Sequence, residues 1–521
     1  MHRVDELVER LAKRFEGKKE IVFNGGLSVS GLQHVGRLRG EVIMNDVLAR
    51  ELRKRGFRTK LFITLYTMDA RKGKRPQVEQ FESGGERYRG RPLIEVPDPK
   101  GCHDNRVEHY RSDFGPYIDR FTSAKIEVVR TDEMYKTERM REIIEEFVEK
   151  REIVREIINK YRKRRPFPEG RIPFNPQCER CRRIDSAEAL EYKDGMFKYR
   201  CNACGNEGVV PYYKGKLNRR LERVAVRKYL NVDFEPYGKD HAAPGGSRDS
   251  CNELAQALGI TPPEGEWYER VAERKNKVER DMSSSSFVGF TPKDRLEVAR
   301  PEVLRFLFLV VDPHKRVVLS LEEIPLYYQR FYKAESKYYE GVKDEETRSY
   351  ELSLLSEPYE RIPVQVPYEH MAILSQTLPR ENKLEEAIKR LRISGIIPEK
   401  LEEYDIKRIE SLLELSYNRA KRYAPERMRI EILTEAPEED PGDLKPILKR
   451  LAEELENVER TPEAIVEGMK RVNEGLDKRT IRRLFKFLYK IFIGKESGPR
   501  IANLFSTLPK EFVIKRIREY L

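Results

Sequence analysis

Two cysteine pairs, Cys178-x2-Cys181 and Cys201-x2-Cys204, stand nineteen residues apart in the middle of the chain. CxxC turns at this separation can bring four thiolates to one tetrahedral Zn²⁺, and that demand ties the segment between them into a small ribbon. The competing arrangement, two disulfides, belongs to oxidising compartments. The opening MHRVDELVERLAKRFEGKK instead reads as a charged amphipathic helix without the apolar centre of a signal peptide. Asn202 and Gly205 suit the tight turns. With four protein ligands and no vacant position, the expected metal is one structural Zn²⁺ held by Cys178, Cys181, Cys201 and Cys204. Such a metal contributes roughly 10–16 kcal/mol to small zinc modules.

On either side of the ribbon the periodicity is α/β. Glu20–Asn24 is a short apolar strand, and Val42, Ile43, Val47, Leu48 and Leu52 follow at helical spacing with Gly56 as the stop. Strands are expected again at Thr59–Leu65 and Lys125–Val129, so the order argues for a parallel sheet with crossover helices. One long amphipathic helix is expected over Arg139–Lys163, ending in the basic run Arg162–Arg165 before Pro166. After about Tyr328 the pattern is helical, through Glu385–Ile393, Ile406–Tyr423, Leu444–Leu455, Pro462–Val472 and Thr480–Phe492. The expected division is 1–170, first half of an α/β domain; 171–213, ribbon insertion; 214–335, second half; and 336–521, all-α.

Hydrophobic residues make up 39% and charged residues 37%. No run reaches the ~18 apolar residues of a spanning helix, and Val303–Val311 is interrupted by Arg305. The expectation is a cytoplasmic protein without a membrane partner. Lys and Arg (102) exceed Asp and Glu (89) by 13, which favours a polyanionic partner such as nucleic acid. Abundant Glu, Lys and Arg beside a single Trp suit a hot environment. Cys102, His103 and His109 form a second grouping of metal-ligand types within eight residues, with no fourth ligand evident.

The loop Gly26–Arg37 follows a strand and opens a helix, where backbone N–H groups and the dipole favour phosphate. It carries His34-Val35-Gly36. Far downstream stands Asp281-Met282-Ser283-Ser284-Ser285-Ser286. An HxG loop in the first βα turn paired with an MSxS loop resembles the "HIGH" and "KMSKS" signatures of class I aminoacyl-tRNA synthetases. Val96-Pro97-Asp98-Pro99 with Gly101-Cys102-His103, Phe234–His241, Arg422–Glu426, Phe492–Arg500 and Phe512–Arg516 narrow the resemblance to class I, archaeal-type lysyl-tRNA synthetases, along essentially the whole chain.

The resemblance implies a Rossmann catalytic domain bearing the zinc ribbon and a helical anticodon-binding domain. It implies ATP, with Mg²⁺, as substrate, lysine as the activated amino acid, and tRNA, of the lysine-accepting kind, as acceptor. His34, Gly36 and the loop Met282, Ser283, Ser284 and Ser285 would be catalytic. Gly26, Ser28, Ser30, Gly31, Gly238, Lys239, Asp240 and His241 would bind ATP or adenylate, and Asn24, Arg227 and Tyr229 would line the amino-acid pocket.

The chain departs from the family at charged positions. Asp281 stands where the second loop opens with lysine, and its later lysine positions read Ser284 or Ser286. Reversing a charge beside phosphates costs several kcal/mol, since unit charges ~4 Å apart interact by about 4 kcal/mol at an effective dielectric near 20. Lys275, Lys277 and Arg280 are the nearest replacements in sequence. Asn24 replaces an acidic residue, Tyr66–Lys72 stands for an Asp-rich stretch, and Arg223–Tyr229 brings Arg223, Arg227 and Lys228 to a tryptophan-rich segment. Two functions follow: a divergent lysine–tRNA ligase, or a synthetase-like paralogue that binds tRNA or another RNA without lysylation. The Arg162–Arg165 run and a basic helix Lys216–Lys228 offer phosphate contacts under either.

Overall fold

The computed structural model describes residues 1–82, 84–162, 166–379 and 381–521. Lys163, Arg164 and Arg165 of the basic run lie outside them. Strands β1 (Glu20–Leu27), β2 (Arg58–Leu65) and β3 (Glu127–Arg130) pair in parallel in that order. Ile21 and Phe23 are fully buried, as expected of a parallel sheet covered on both faces. Between β1 and β2 the chain makes a π-type turn, Arg39–Met44, and then the helix Asn45–Lys54. Its apolar stripe Val47, Leu48 and Leu52 is buried against the sheet, and Gly56 ends it at φ +91°.

The sheet continues on the other side of β1. Phe234 bridges Phe23 in parallel, and Glu264 bridges Phe234. The order therefore reverses at β1, and such reversals open a crevice at the carboxyl ends of the strands. This part of the fold matches the α/β reading.

The ribbon holds β4 (Phe174–Pro176), β5 (Ala187–Lys193), β6 (Met196–Cys201), β7 (Glu207–Pro211) and β8 (Gly215–Leu217). β5, β6 and β7 form an antiparallel sheet, and β4 pairs with β8. Phe174 stacks on Phe197 at 4.0 Å within a core that also contains Cys178 and Cys201. Beyond the ribbon lie β9 (Tyr237–Gly238) and β10 (Trp267–Tyr268), paired in parallel, then β11 (Val271–Lys275), β12 (Val278–Asp281) and β13 (Val317–Leu319).

The single helix expected over Arg139–Lys163 is two, Glu138–Glu149 and Arg151–Tyr161. Glu149, Lys150, Arg151 and Glu152 are consecutive charges with no apolar side chain to seat a turn. Lys150 leaves the helical range at ψ 21°, and Arg151 donates to the freed Val148 carbonyl.

The chain forms two compact units. The first comprises Met1–Arg295, Leu304–Leu319 and Asp344–Glu357. Its apolar run around Arg305 tolerates the cation because Arg305 is fully buried against Asp46, at 2.7 Å, and donates to the carbonyls of Phe121, Leu352 and Ser353. The second unit comprises Leu296–Val303, Ser320–Lys343 and Pro358–Leu521, and no strand occurs among its described residues. Its five expected helical stretches are the helices Lys383–Ile393, Glu403–Arg422, Lys445–Asn457, Pro462–Asn473 and Lys478–Ile493. In the last, Leu484, Phe487, Leu488 and Ile491 recur at helical spacing and are buried. Asp477 caps it through the Arg479 and Thr480 amides, a contact worth about 1 kcal/mol. Among the described residues no helix is long and apolar enough to cross a membrane.

Candidate functional site

A cavity of about 280 Å³ opens at the sheet's reversal. Of the residues expected from the sequence it brings together Gly26, Ser28, His34, Gly238, Asp240 and His241. It adds Arg37, Glu41, Tyr66, Asp69, Arg219, Arg223 and Tyr268, among others. Arg37 directly follows the HxG signature, and Tyr66, Asp69 and Arg223 fall in the segments that depart from the family, so a sequence signal existed for these. Nothing local marks Tyr268. It arrives through the pairing of β10 with β9.

His34 is neutral at physiological pH: burial, and then the nearby Arg37, push it down to about 3. Its Nδ1 has no hydrogen-bond partner. A neutral imidazole keeps one N–H to donate to an anionic ligand. His241 is likewise held down to about 4 by burial and by Arg223 and Arg219, with Nδ1 2.5 Å from the Ser247 hydroxyl.

Glu41 sits on the π-type turn, a feature that recurs at functional sites. Tyr268 donates its hydroxyl to Glu41 Oε1 at 2.5 Å, while Oε2 is buried without a partner. The approach requires glycine at position 40, where a Cβ would overlap the Tyr268 ring. Burial raises the Glu41 carboxyl, against the Tyr268 hydrogen bond and the pull of Arg37. A buried acceptor left open in this way is suited to a cationic donor from a ligand.

Of the basic helix expected over Lys216–Lys228, three cations are tied to carboxylates. Lys216 belongs to β8, is buried, and sits 2.7 Å from Asp69 and 2.5 Å from Glu222. The helix proper is Arg219–Leu230, whose Arg227 is buried 2.7 Å from Glu235 and whose Lys228 pairs with Glu146. Burial alone would raise Glu235, but Arg227, Arg223 and Arg248 bring it to about 2. Arg227 is thus a fixed ion-pair partner outside the cavity lining, and Tyr229 packs under the Arg139 guanidinium. Asn24 lies buried on β1, accepting from Thr64 Oγ1 at 2.9 Å.

The serine loop lies against the first loop. Met282 N–H donates to the Val271 carbonyl, and Gly36 packs on Val271. Ser283 pairs with Val288. Gly31 faces the Ser284 carbonyl so closely that any side chain would collide with it. Ser30 gives its carbonyl to Gln77 and Arg106, and Ser285 accepts from Lys74 at 2.8 Å. Lys239 pairs with Glu269 at 2.5 Å. Asp281 is not a bare anion: Arg316 holds it at 2.8 Å and Arg270 at 3.5 Å. Lys275, Lys277 and Arg280 are exposed on the β11–β12 hairpin and do not line the cavity.

The four ribbon thiols fit a tetrahedral metal. Cys178 to Cys204 and Cys181 to Cys201 are 3.6 Å apart, and all four lie within 4.8 Å of one another. A tetrahedron with Zn–S bonds of about 2.3 Å has edges of about 3.8 Å. The turns are formed by the Arg182 amide donating to Cys178 and the Gly205 amide donating to Cys201.

The second grouping gains the fourth ligand that spacing did not reveal. Asp98, Cys102, His103 and His109 place one ligand atom each within 4.8 Å of the others. Cys102 Sγ lies 3.1 Å from Asp98 Oδ2 and His103 Nδ1, and 3.4 Å from His109 Nδ1. The Lys100, Cys102 and His103 amides donate to Asp98 and orient it.

Residues 1–357 match the family described as tRNA synthetases class I (K). The lysine–tRNA ligase of Aeropyrum pernix is 47% identical over 536 residues, covering 100% of this chain and 98% of that protein. The lysine–tRNA ligase of Pyrococcus horikoshii is 33% identical over 536 residues, covering 99% of each.

Proposed function

This chain belongs to the class I (K) tRNA synthetases, and from that premise we propose that it activates lysine with ATP and transfers it to tRNA-Lys. The observation that carries the reading is the buried, unpartnered Glu41 Oε2 beside Tyr268 in a cavity otherwise rich in cations. A lysine ε-ammonium supplies the missing donor there, while Arg219 and Arg223 face the anionic end of the ligand.

In the first step a lysine carboxylate oxygen attacks the α-phosphorus of Mg²⁺-bound ATP. The bond to the bridging oxygen breaks, and pyrophosphate leaves with the electron pair. In the second a ribose hydroxyl of the terminal tRNA adenosine attacks the adenylate carbonyl, its proton passes to a phosphate oxygen, and AMP departs with the electron pair of the broken acyl C–O bond. No side chain needs to form a bond, so positioning and charge stabilisation carry the rate. His34 donates to phosphate, Gly26 and Ser28 admit the nucleotide close to the backbone, and Asp240 and His241 border the adenylate. The helical unit is assigned to the anticodon arm.

Both four-ligand groups are assigned to zinc. Thiolate and imidazole donors suit it, and the metal's contribution there is to hold the turns together. Metal analysis should find two Zn per chain, with Cys178→Ser losing one and Cys102→Ser losing the other. Full retention in either variant overturns that assignment. Charging of unfractionated tRNA with each amino acid tests the function. Lysine alone should be esterified, and charging with another amino acid or with none would refute it.

A further inference from the structure

The serine loop lacks lysines, yet a departing pyrophosphate needs cations. Arg37 donates from Nε to the Ser284 hydroxyl at 3.0 Å. Ser284 is one of the two serines that stand where the resembling family carries its later loop lysine. Arg37 lines the cavity, and although Glu41 attracts it, among the described residues no carboxylate forms an ion pair with it. Its neighbour His34 is neutral, so it brings a hydrogen-bond donor but no positive charge to the anion. Lys74 reaches the adjacent Ser285 hydroxyl at 2.8 Å from the exposed side, likewise without an ion pair among the described residues. Asp281, the reversed charge, is turned onto Arg316 and Arg270. The two loops are locked together by the contact of Gly31 with the Ser284 backbone.

We propose that Arg37 is a catalytic residue that grips the β- and γ-phosphates of ATP, with Lys74 as a weaker second cation, in place of the loop lysines. The inference rests on the adenylation reading above. As the α-phosphorus passes to the lysine carboxylate, the negative charge gathering on pyrophosphate meets the Arg37 guanidinium, which leaves two terminal nitrogens for phosphate oxygens. A cation at the rigid start of a helix needs no loop closure to be in place. The serine hydroxyls hold the guanidinium and the ammonium at the loop surface.

The test is lysine-dependent ATP–pyrophosphate exchange with unfractionated tRNA present, together with binding of lysine alone and of inorganic pyrophosphate alone. Arg37→Ala should lower the exchange kcat by about 10²–10³-fold, the effect of removing one transition-state donor. It should weaken pyrophosphate binding and leave lysine binding unchanged. Arg37→Lys should retain part of the rate. Arg37→Ala/Ser284→Lys, which returns a cation to the loop, should recover at least tenfold over Arg37→Ala, a rescue that a merely structural arginine would not allow. Unchanged exchange and pyrophosphate binding in Arg37→Ala would overturn the assignment while leaving the adenylation reading intact. If Arg37→Ala loses lysine binding as well, then Arg37→Lys and the double variant decide, and failure of both overturns it. Absence of lysine-dependent exchange in the unaltered protein would overturn the underlying reading, and this inference with it.

Discussion

The two sides of the cavity carry arginines under opposite electrostatic conditions. On the side of the helix Arg219–Leu230, Arg227 and Arg248 close on the single buried carboxylate of Glu235, with Arg223 nearby. On the side of the first loop, Arg37 hydrogen-bonds the Ser284 hydroxyl and, although Glu41 attracts it, forms no ion pair among the described residues. Buried charges that are paired and hydrogen-bonded hold the fold, and their removal leaves an expensive uncompensated ion. A cation that lines a cavity without an ion-pair partner of its own is instead available to an anionic ligand. The sequence marks all of these side chains alike as cations, and only the pairing separates structure from chemistry.

The largest effect that would sharpen this contrast is on the paired side. Glu235→Gln leaves several buried arginines uncompensated and should destabilise the first unit by about 3–5 kcal/mol, read as a lower urea midpoint. Arg37→Met should leave that midpoint unchanged or raise it, because no ion pair is lost. A comparable fall in both variants would break the comparison.

Acid should expose the same difference. Glu235 titrates at about 2 in the fold and near 4.3 in an unfolded chain. Its stabilisation is therefore complete above about pH 4.3 and lost as the pH falls toward 2. The acid limb of stability should be flatter over that window in Glu235→Gln. His34 contributes in a higher range. Folded at about 3 and unfolded near 6.5, it resists protonation, so stability falls as the pH drops below 6.5. His34→Asn should remove that component. The smallest effect belongs to Lys74: as an exposed cation it should contribute under about 1 kcal/mol, a few-fold rise in the KM for ATP in Lys74→Ala with kcat nearly kept.

How far the sequence spoke depended on the range of the interaction. Strands β1 to β3 and the late helices follow from apolar periodicity, which is local. The two CxxC knuckles follow from cysteine spacing, and the structure adds how their four thiols converge. Asp98 escaped notice because a carboxylate four residues before Cys102 looks like turn chemistry until the backbone folds the amides of Lys100, Cys102 and His103 onto it. In the sequence Lys216 reads as a phosphate contact and Arg227 as a pocket residue because their partners Asp69, Glu222 and Glu235 come from other elements. Asp281 looked damaging to phosphate binding for the same reason, since Arg316 lies thirty-five residues away on the chain. Tyr268 meets Glu41 across 227 residues, a distance no local pattern spans.

The central claim is that this cavity activates lysine although its second loop contains no lysine. ATP–pyrophosphate exchange on the unaltered protein, run with each amino acid in turn and with tRNA present, tests it most directly. The account predicts exchange that depends on lysine and on no other amino acid. Exchange driven by a different amino acid, or none with lysine at saturating ATP and Mg²⁺, would contradict it.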